Sequence, residues 1–186
     1  MTSGQVILVG GGTRSGKSDF ALAVARRLGN RRLFVATAQP GDDEMRTRIR
    51  LHQETRGTDF QTVEVPLAVA EVLRGVREHD VVILDCLTLW LANLLLEGYD
   101  ADSVSRHVEE LVAVLGRRVV HTVIVTSEVG LGLVPETPLG RTFRDVTGLA
   151  HQRLAELADE VYFGVLGVML RLRPEPIALA PPGAPL

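Results

Sequence analysis

The stretch Gly11-Gly12-Thr13-Arg14-Ser15-Gly16-Lys17-Ser18 constrains this chain more than any other feature. It fits the pattern G-x-x-x-x-G-K-[ST]. It lies between an apolar run, Gln5–Val9, and a segment with apolar residues at helical spacing, Ser18–Leu28. Strand, glycine loop and helix in that order make a cradle for phosphate. The glycines let backbone N–H groups turn inward with no Cβ in the way. The helix start offers unpaired N–H groups and about half a positive charge to an anion. A glycine-rich turn with no ligand is the competing reading, and lysine usage argues against it. Of 20 basic residues, 19 are arginine and Lys17 is the single lysine. A compact ammonium kept where every other cation is a planar guanidinium marks a position that arginine does not serve. Lys17 is therefore expected to reach the β- and γ-phosphates of a nucleoside triphosphate, and the Ser18 hydroxyl to hold Mg²⁺.

Around that motif, strand-like and helix-like segments alternate. Apolar or alternating runs predict strands over Leu33–Thr37, Phe60–Val65, Val81–Leu84, His121–Thr126 and Val161–Val165. Helical spacing predicts helices over Asp42–Gln53, Ala68–Val76, Thr88–Leu96, Asp102–Arg117 and Phe143–Ala158. Glu128–Gly140, with three glycines and two prolines, reads as a long loop. Such alternation predicts an α/β fold, a mostly parallel sheet with helices on both faces, whose ligands bind beyond the carboxyl ends of the strands. Residues 1–173 are expected to form a single nucleotide-binding domain, and residues 174–186 a flexible proline-rich tail. Asp85 closes the run Val81–Leu84 and is predicted to meet the glycine loop at that edge. There it is a second Mg²⁺ ligand beside Ser18; a turn or helix-capping aspartate is the alternative. Glu64, ending a neighbouring strand, is a further candidate for the same crevice.

Composition narrows the partners. A net charge of −3 gives no basic surface for nucleic acid or an anionic membrane. The apolar stretches are broken well short of the ~18 residues a membrane span needs. Cys86 is the one cysteine, which rules out an internal disulfide and fits a reducing compartment, and the amino terminus carries no targeting pattern. A cytoplasmic protein is expected. The chain has no Asn-Lys-x-Asp motif for reading guanine as regulatory GTPases do. Of five histidines, His79, His107, His121 and His151 lie at element margins with no evident chemical neighbours. His52 shares a helix face with Met45 and Ile49 at i, i+4, i+7 spacing, a pattern that on its own favours a histidine packed beneath a helix.

Further blocks carry a resemblance. Val35-Ala36-Thr37-Ala38 follows the second strand, and Asp42 to His52 reads Asp-Asp-Glu-Met-Arg-Thr-Arg-Ile-Arg-Leu-His. Leu84 to Trp90, Thr126 to Glu136 and Phe143 to Ala155 supply three more. In this order and spacing, from Val6 to Val168, the chain resembles the bifunctional adenosylcobinamide kinase / adenosylcobinamide-phosphate guanylyltransferase family. The resemblance implies a RecA-like P-loop NTPase fold assembled as a homotrimer. It implies ATP and GTP as substrates and a corrinoid, adenosylcobinamide, as acceptor. His52 then stands where the family carries GMP on histidine, with Leu51 where some members have a second histidine. Nucleotide contacts are implied at Gly11, Gly12, Thr13, Arg14, Ser15, Gly16, Lys17 and Ser18, and at Ala36, Thr37 and Ala38. They are also implied at Gln53, Glu54, Thr55 and Arg56, and at Glu64 and Asp85. Arg56 is a candidate for neutralising phosphoryl charge, with a solvated arginine as its equal alternative. The loop after Glu128 is equally a corrinoid contact or an ordinary surface loop. Two other readings stay open: a monofunctional P-loop small-molecule kinase with a structural His52, and a RecA-like nucleotide binder without catalysis.

Overall fold

The computed structural model describes residues 3–39, 41, 43, 46 and 57–174. Within them the chain runs β1 (Val6–Gly11), α1 (Lys17–Leu28), β2 (Arg32–Ala36), β3 (Gln61–Glu64), α2 (Val69–Gly75), β4 (Val81–Asp85) and α3 (Leu87–Leu96). It continues through α4 (Ala101–Leu115), β5 (His121–Val125), α5 (Pro138–Leu157), β6 (Glu160–Val165) and β7 (Val168–Arg173). The strands form one sheet in the order β3-β2-β4-β5-β1-β6-β7. All neighbouring pairs are parallel except β6 and β7.

The central strands are buried on both faces, which is why they read as continuous apolar runs. Side chains alternate between two cores. Ile7, Val9, Phe34, Ile83, Val123 and Val125 meet Ala21, Leu22 and Ala25 of α1 on one face. Val6, Leu8, Val35, Leu84 and Ile124 meet α2, α3, α4 and α5 on the other. Trp90 of α3 is fully buried in that second core, and its Nε1–H donates to the Leu67 carbonyl at 2.7 Å.

Two expectations need correction. The last helix starts at Pro138, five residues before Phe143, because Thr137 caps it and proline occupies its first turn. Proline lacks only an N–H that is unpaired at that position anyway, so it starts this helix instead of breaking it. The sheet also gains a strand, β7, returning antiparallel after a two-residue turn in which Leu166 and Gly167 both have positive φ (52° and 79°). The helix expected over Asp42–Gln53 falls largely outside the described residues, and the tail from residue 175 onward entirely so.

Replacing Trp90 with Phe removes one of the two donors to the Leu67 carbonyl, which keeps the Val69 N–H at 2.9 Å, and leaves the ring site underfilled, at a cost of about 1–3 kcal/mol for the lost bond and lost volume together. Urea unfolding is expected to show a lower midpoint with an unchanged slope; an unaltered midpoint contradicts this account of the core.

Candidate nucleotide site at the carboxyl edge of the sheet

The glycine loop leaves β1 at Gly11 and enters α1 at Lys17. Three of its residues have positive φ: Gly11 (150°), Arg14 (56°) and Gly16 (84°). Gly11 is also a close approach, since a Cβ there would sit 2.7 Å from Ser15 Oγ and 2.8 Å from the Gly164 carbonyl of β6. Gly12 and Gly16 face open space, and Gly12, Thr13, Arg14 and Gly16 are exposed. No side chain caps α1, whereas Cys86, Asp100 and Thr137 cap α3, α4 and α5. The first N–H groups of α1 thus lack the side-chain acceptor those three helices have, as an anion site requires. Lys17 Nζ folds back onto the Gly12 carbonyl at 3.1 Å, so the ammonium lies over the loop. Ser15 Oγ is buried and has no hydrogen-bond partner among the described residues, an orphan consistent with a ligand-accepting loop.

Asp85 ends β4, and one strand, β5, lies between it and the glycine loop. At about 4.8 Å per strand, β4 and β1 are roughly 10 Å apart. Asp85 pairs in register with Ala36, and Ala36 with Glu64, so both carboxylates stand at the edge on either side of β2. Parity puts them on the α1 face, the face that carries Ile83 and Phe34. Burial chiefly, and then the Asp85 carboxylate, push the Cys86 thiol up to about 11, with Lys17 among the groups working the other way. The loop lysine is therefore electrostatically linked to this corner of the site. His52, Gln53, Glu54, Thr55 and Arg56 lie outside the described residues.

Thr37, buried and just past β2, fixes the edge. Its hydroxyl donates to the Cys86 carbonyl at 2.8 Å and accepts from the Cys86 N–H at 2.9 Å. Asn93 of α3 donates to the Thr37 and Pro66 carbonyls at 2.8 and 3.0 Å. Ala36 and Ala38, on either side, are half-buried.

A second polar group lies on the opposite face of the same edge. Thr126 extends β5, its N–H donating to the Val9 carbonyl at 3.0 Å, and the Glu128 N–H donates to the Gly11 carbonyl at 3.0 Å. His151 of α5 places Nε2 2.7 Å from Thr126 Oγ1 and Nδ1 3.5 Å from Glu128 Oε2. Burial lowers the His151 pKa, outweighing the Glu128 carboxylate that raises it, so the ring is neutral near pH 7. Sequence reasoning missed this grouping: His151 is 23 residues from Glu128, and only the packing of α5 brings them together. The other described histidines serve locally. His79 meets Gln61, His107 bonds the Ser103 carbonyl, and His121 accepts from the Gln5 N–H.

Comparison with known proteins gives the family and the fold. The sequence profile of the family described as "Cobinamide kinase / cobinamide phosphate guanyltransferase" matches residues 7–172. The chain is 41% identical over 171 residues to "Bifunctional adenosylcobalamin biosynthesis protein CobP" of Pseudomonas aeruginosa, covering 91% of this chain and 98% of that protein. It is 36% identical over 181 residues to the CobU protein of the same description from Escherichia coli, covering 90% and 99%. Among solved structures, the RadB recombinase superposes with a TM-score of 0.52 at 15% identity, covering 91% of this chain and 86% of that one. An ATPase of a bacterial type III secretion system gives 0.52 at 12% identity, covering 88% and 52%. The fold is that of the RecA-like P-loop ATPases.

Thr37→Val removes the acceptor of the buried Cys86 N–H and one of two donors to the Cys86 carbonyl, which keeps the Trp90 N–H at 3.2 Å, and is expected to cost about 1–3 kcal/mol. Thermal unfolding measures the loss, and Thr37→Ser, which keeps the hydroxyl, is expected to recover most of it.

Proposed function

Because the chain belongs to the cobinamide kinase / cobinamide phosphate guanyltransferase family, we propose that it catalyses both reactions in adenosylcobalamin biosynthesis. In the first, a nucleoside triphosphate phosphorylates the aminopropanol hydroxyl of adenosylcobinamide. In the second, GTP guanylylates that phosphate, releasing pyrophosphate and leaving adenosylcobinamide-GDP. The observation that carries this reading is the glycine loop with its uncapped α1 and Lys17 folded over it, across one strand from Asp85.

Each group has a task that its chemistry suits. Loop N–H groups from Gly11 to Ser18 and the Lys17 ammonium hold the β- and γ-phosphates. Ser18 and Asp85 offer a hydroxyl and a carboxylate, the hard oxygen donors that Mg²⁺ accepts alongside phosphate and water. Such an ion would neutralise phosphate charge. Ala36, Thr37, Ala38, Glu64 and Gln53–Arg56 complete the nucleotide contacts. His52 is the nucleophile of the second reaction. A neutral imidazole nitrogen attacks the α-phosphorus of GTP, pyrophosphate departs, and an oxygen of the corrinoid phosphate then displaces the histidine. Arg56, beside it, offsets charge on the phosphoryl oxygens. The loop beyond Glu128 presents Leu131, Leu133 and Val134 to solvent beside the site, an apolar surface suited to a corrinoid.

The same reading takes residues 1–173 as one domain with a flexible tail over 174–186, working as a homotrimer in the cytoplasm. Among the described residues no helix is long and apolar enough to cross a membrane.

Incubation with GTP labelled at the α-phosphate is expected to give a covalent adduct that is labile in acid, stable in alkali and lost in His52→Ala. Triphosphate consumption without any adduct would point instead to a simple kinase. Lys17→Ala is expected to weaken triphosphate binding and lower turnover by at least about 10²-fold in both reactions, as loss of a charge-stabilising group does. Steady-state assays decide this, and retained turnover would displace the site.

A further inference from the structure

We propose that Glu128 is the base that takes the proton from the substrate hydroxyl in the phosphorylation reaction, with His151 and Thr126 as positioning residues. This rests on the kinase half of the function proposed above.

Placement is the first argument. Glu128 follows β5, the strand between the glycine loop on β1 and Asp85 on β4, and its N–H is bonded to the first loop glycine. Glu64 lies four strands from β1, about 19 Å at the usual spacing. Asp85 is already assigned to the cation in the reading above, and a metal-bound carboxylate is a weaker base. Glu128 also lies on the correct side. The glycine loop leads into α1, which packs on one face of the sheet, whereas Glu128 meets His151 of α5, which packs on the other face. Phosphoryl transfer needs the attacking and leaving oxygens roughly in line, so an acceptor arriving from the α5 side opposes the donor.

The second argument is the direction of the hydrogen bonds. Thr88 Oγ1 accepts from the Ser127 N–H at 2.8 Å and stands 3.4 Å from Thr126 Oγ1. With His151 neutral, the arrangement that satisfies every group runs one way. Thr126 O–H donates to Nε2, Nδ1 keeps its hydrogen, and that hydrogen faces Glu128 Oε2. The imidazole cannot itself reach substrate, because Nε2 is taken by a threonine that is 2% exposed. The carboxylate is the open end of the series, its side chain 24% exposed. Oε1 accepts from the Gly130 N–H, and Arg144 of α5 donates to the Gly130 carbonyl at 2.7 Å, which fixes the carboxylate plane.

The step balances without another reactant. The hydroxyl oxygen forms a bond to the γ-phosphorus while the bond from that phosphorus to the bridging oxygen breaks. The electron pair leaves on the nucleoside diphosphate, and the hydroxyl proton passes to Glu128 and then to water. Guanylyl transfer asks for no such base. A corrinoid phosphate, whose second pKa is about 6, already presents an unprotonated oxygen near pH 7.

The two reactions therefore separate the roles. With the full-length enzyme, a nucleoside triphosphate and adenosylcobinamide, Glu128→Gln is expected to lower kcat about 10²–10⁴-fold, with the triphosphate KM within about threefold. The same variant is expected to form the GMP adduct, and to pass GMP to adenosylcobinamide phosphate supplied ready-made, within about threefold of the parent rate. His151→Leu is expected to lower the kinase kcat about tenfold at unchanged triphosphate KM, with His151→Gln, whose amide can both accept and donate, restoring most of it. Kinase turnover retained in Glu128→Gln, or both reactions lost alike, overturns the inference. A parent enzyme that transfers GMP but never phosphorylates the alcohol overturns the kinase reading itself, and the inference with it.

Discussion

Helix α1 begins at Lys17 behind a left-handed Gly16, which has no side chain to cap its first N–H groups. A helix end in that condition holds a concentrated positive potential that water or an anion must answer. The rest of the site is arranged around it. The Gly11 carbonyl is held by Glu128, and a Gly11 Cβ would meet Ser15 and Gly164, so the loop sits down on its neighbours. The parallel strands then aim their carboxyl ends at the same edge, which brings Asp85 and Glu64 to the side of the sheet where the loop lies.

The edge is held by polar side chains that bond backbone. Thr37 clasps both polar groups of Cys86, Asn93 ties α3 to the segments after β2 and β3, and Thr88 accepts from Ser127. The side chains of Thr37, Asn93 and Thr88 are all buried, so each bond offsets a desolvation that would otherwise disfavour the fold. Strand ends that would fray in isolation are thereby joined to one another. The two faces differ in kind: α1 covers most of the nucleotide side, with Leu89 of α3 at its margin, while α2 to α5 build the larger core opposite.

The glycine loop, the lone lysine and Asp85 were legible in the sequence because each depends on local order, a strand, a turn and a helix in succession. The central strands were legible because burial on both faces leaves an uninterrupted apolar run. β7 was hidden by its turn: Leu166-Gly167 lacks the Asn-Gly or Asp-Gly signature, although both residues take the backbone such turns need. The start of α5 was hidden because Pro138 and Gly140 look like loop residues until Thr137 is recognised as a cap. The grouping of Thr88, Thr126, Glu128 and His151 is a tertiary fact, drawn from three elements far apart in the chain. For His52, spacing pointed toward a packed histidine, and only the family resemblance gave it chemistry.

Helix α5 is anchored at its two extremities. Thr137 accepts from the Gly140 N–H at its beginning. At its far end Arg173 of β7 reaches the Ala155 carbonyl and those of Glu156 and Ala158, both at 3.4 Å. A guanidinium there answers the negative pole of the helix. The hairpin strand thus acts as a strut: α5 becomes a beam supported at each end, and the imidazole near its middle is denied the twisting and sliding that a cantilevered helix would allow.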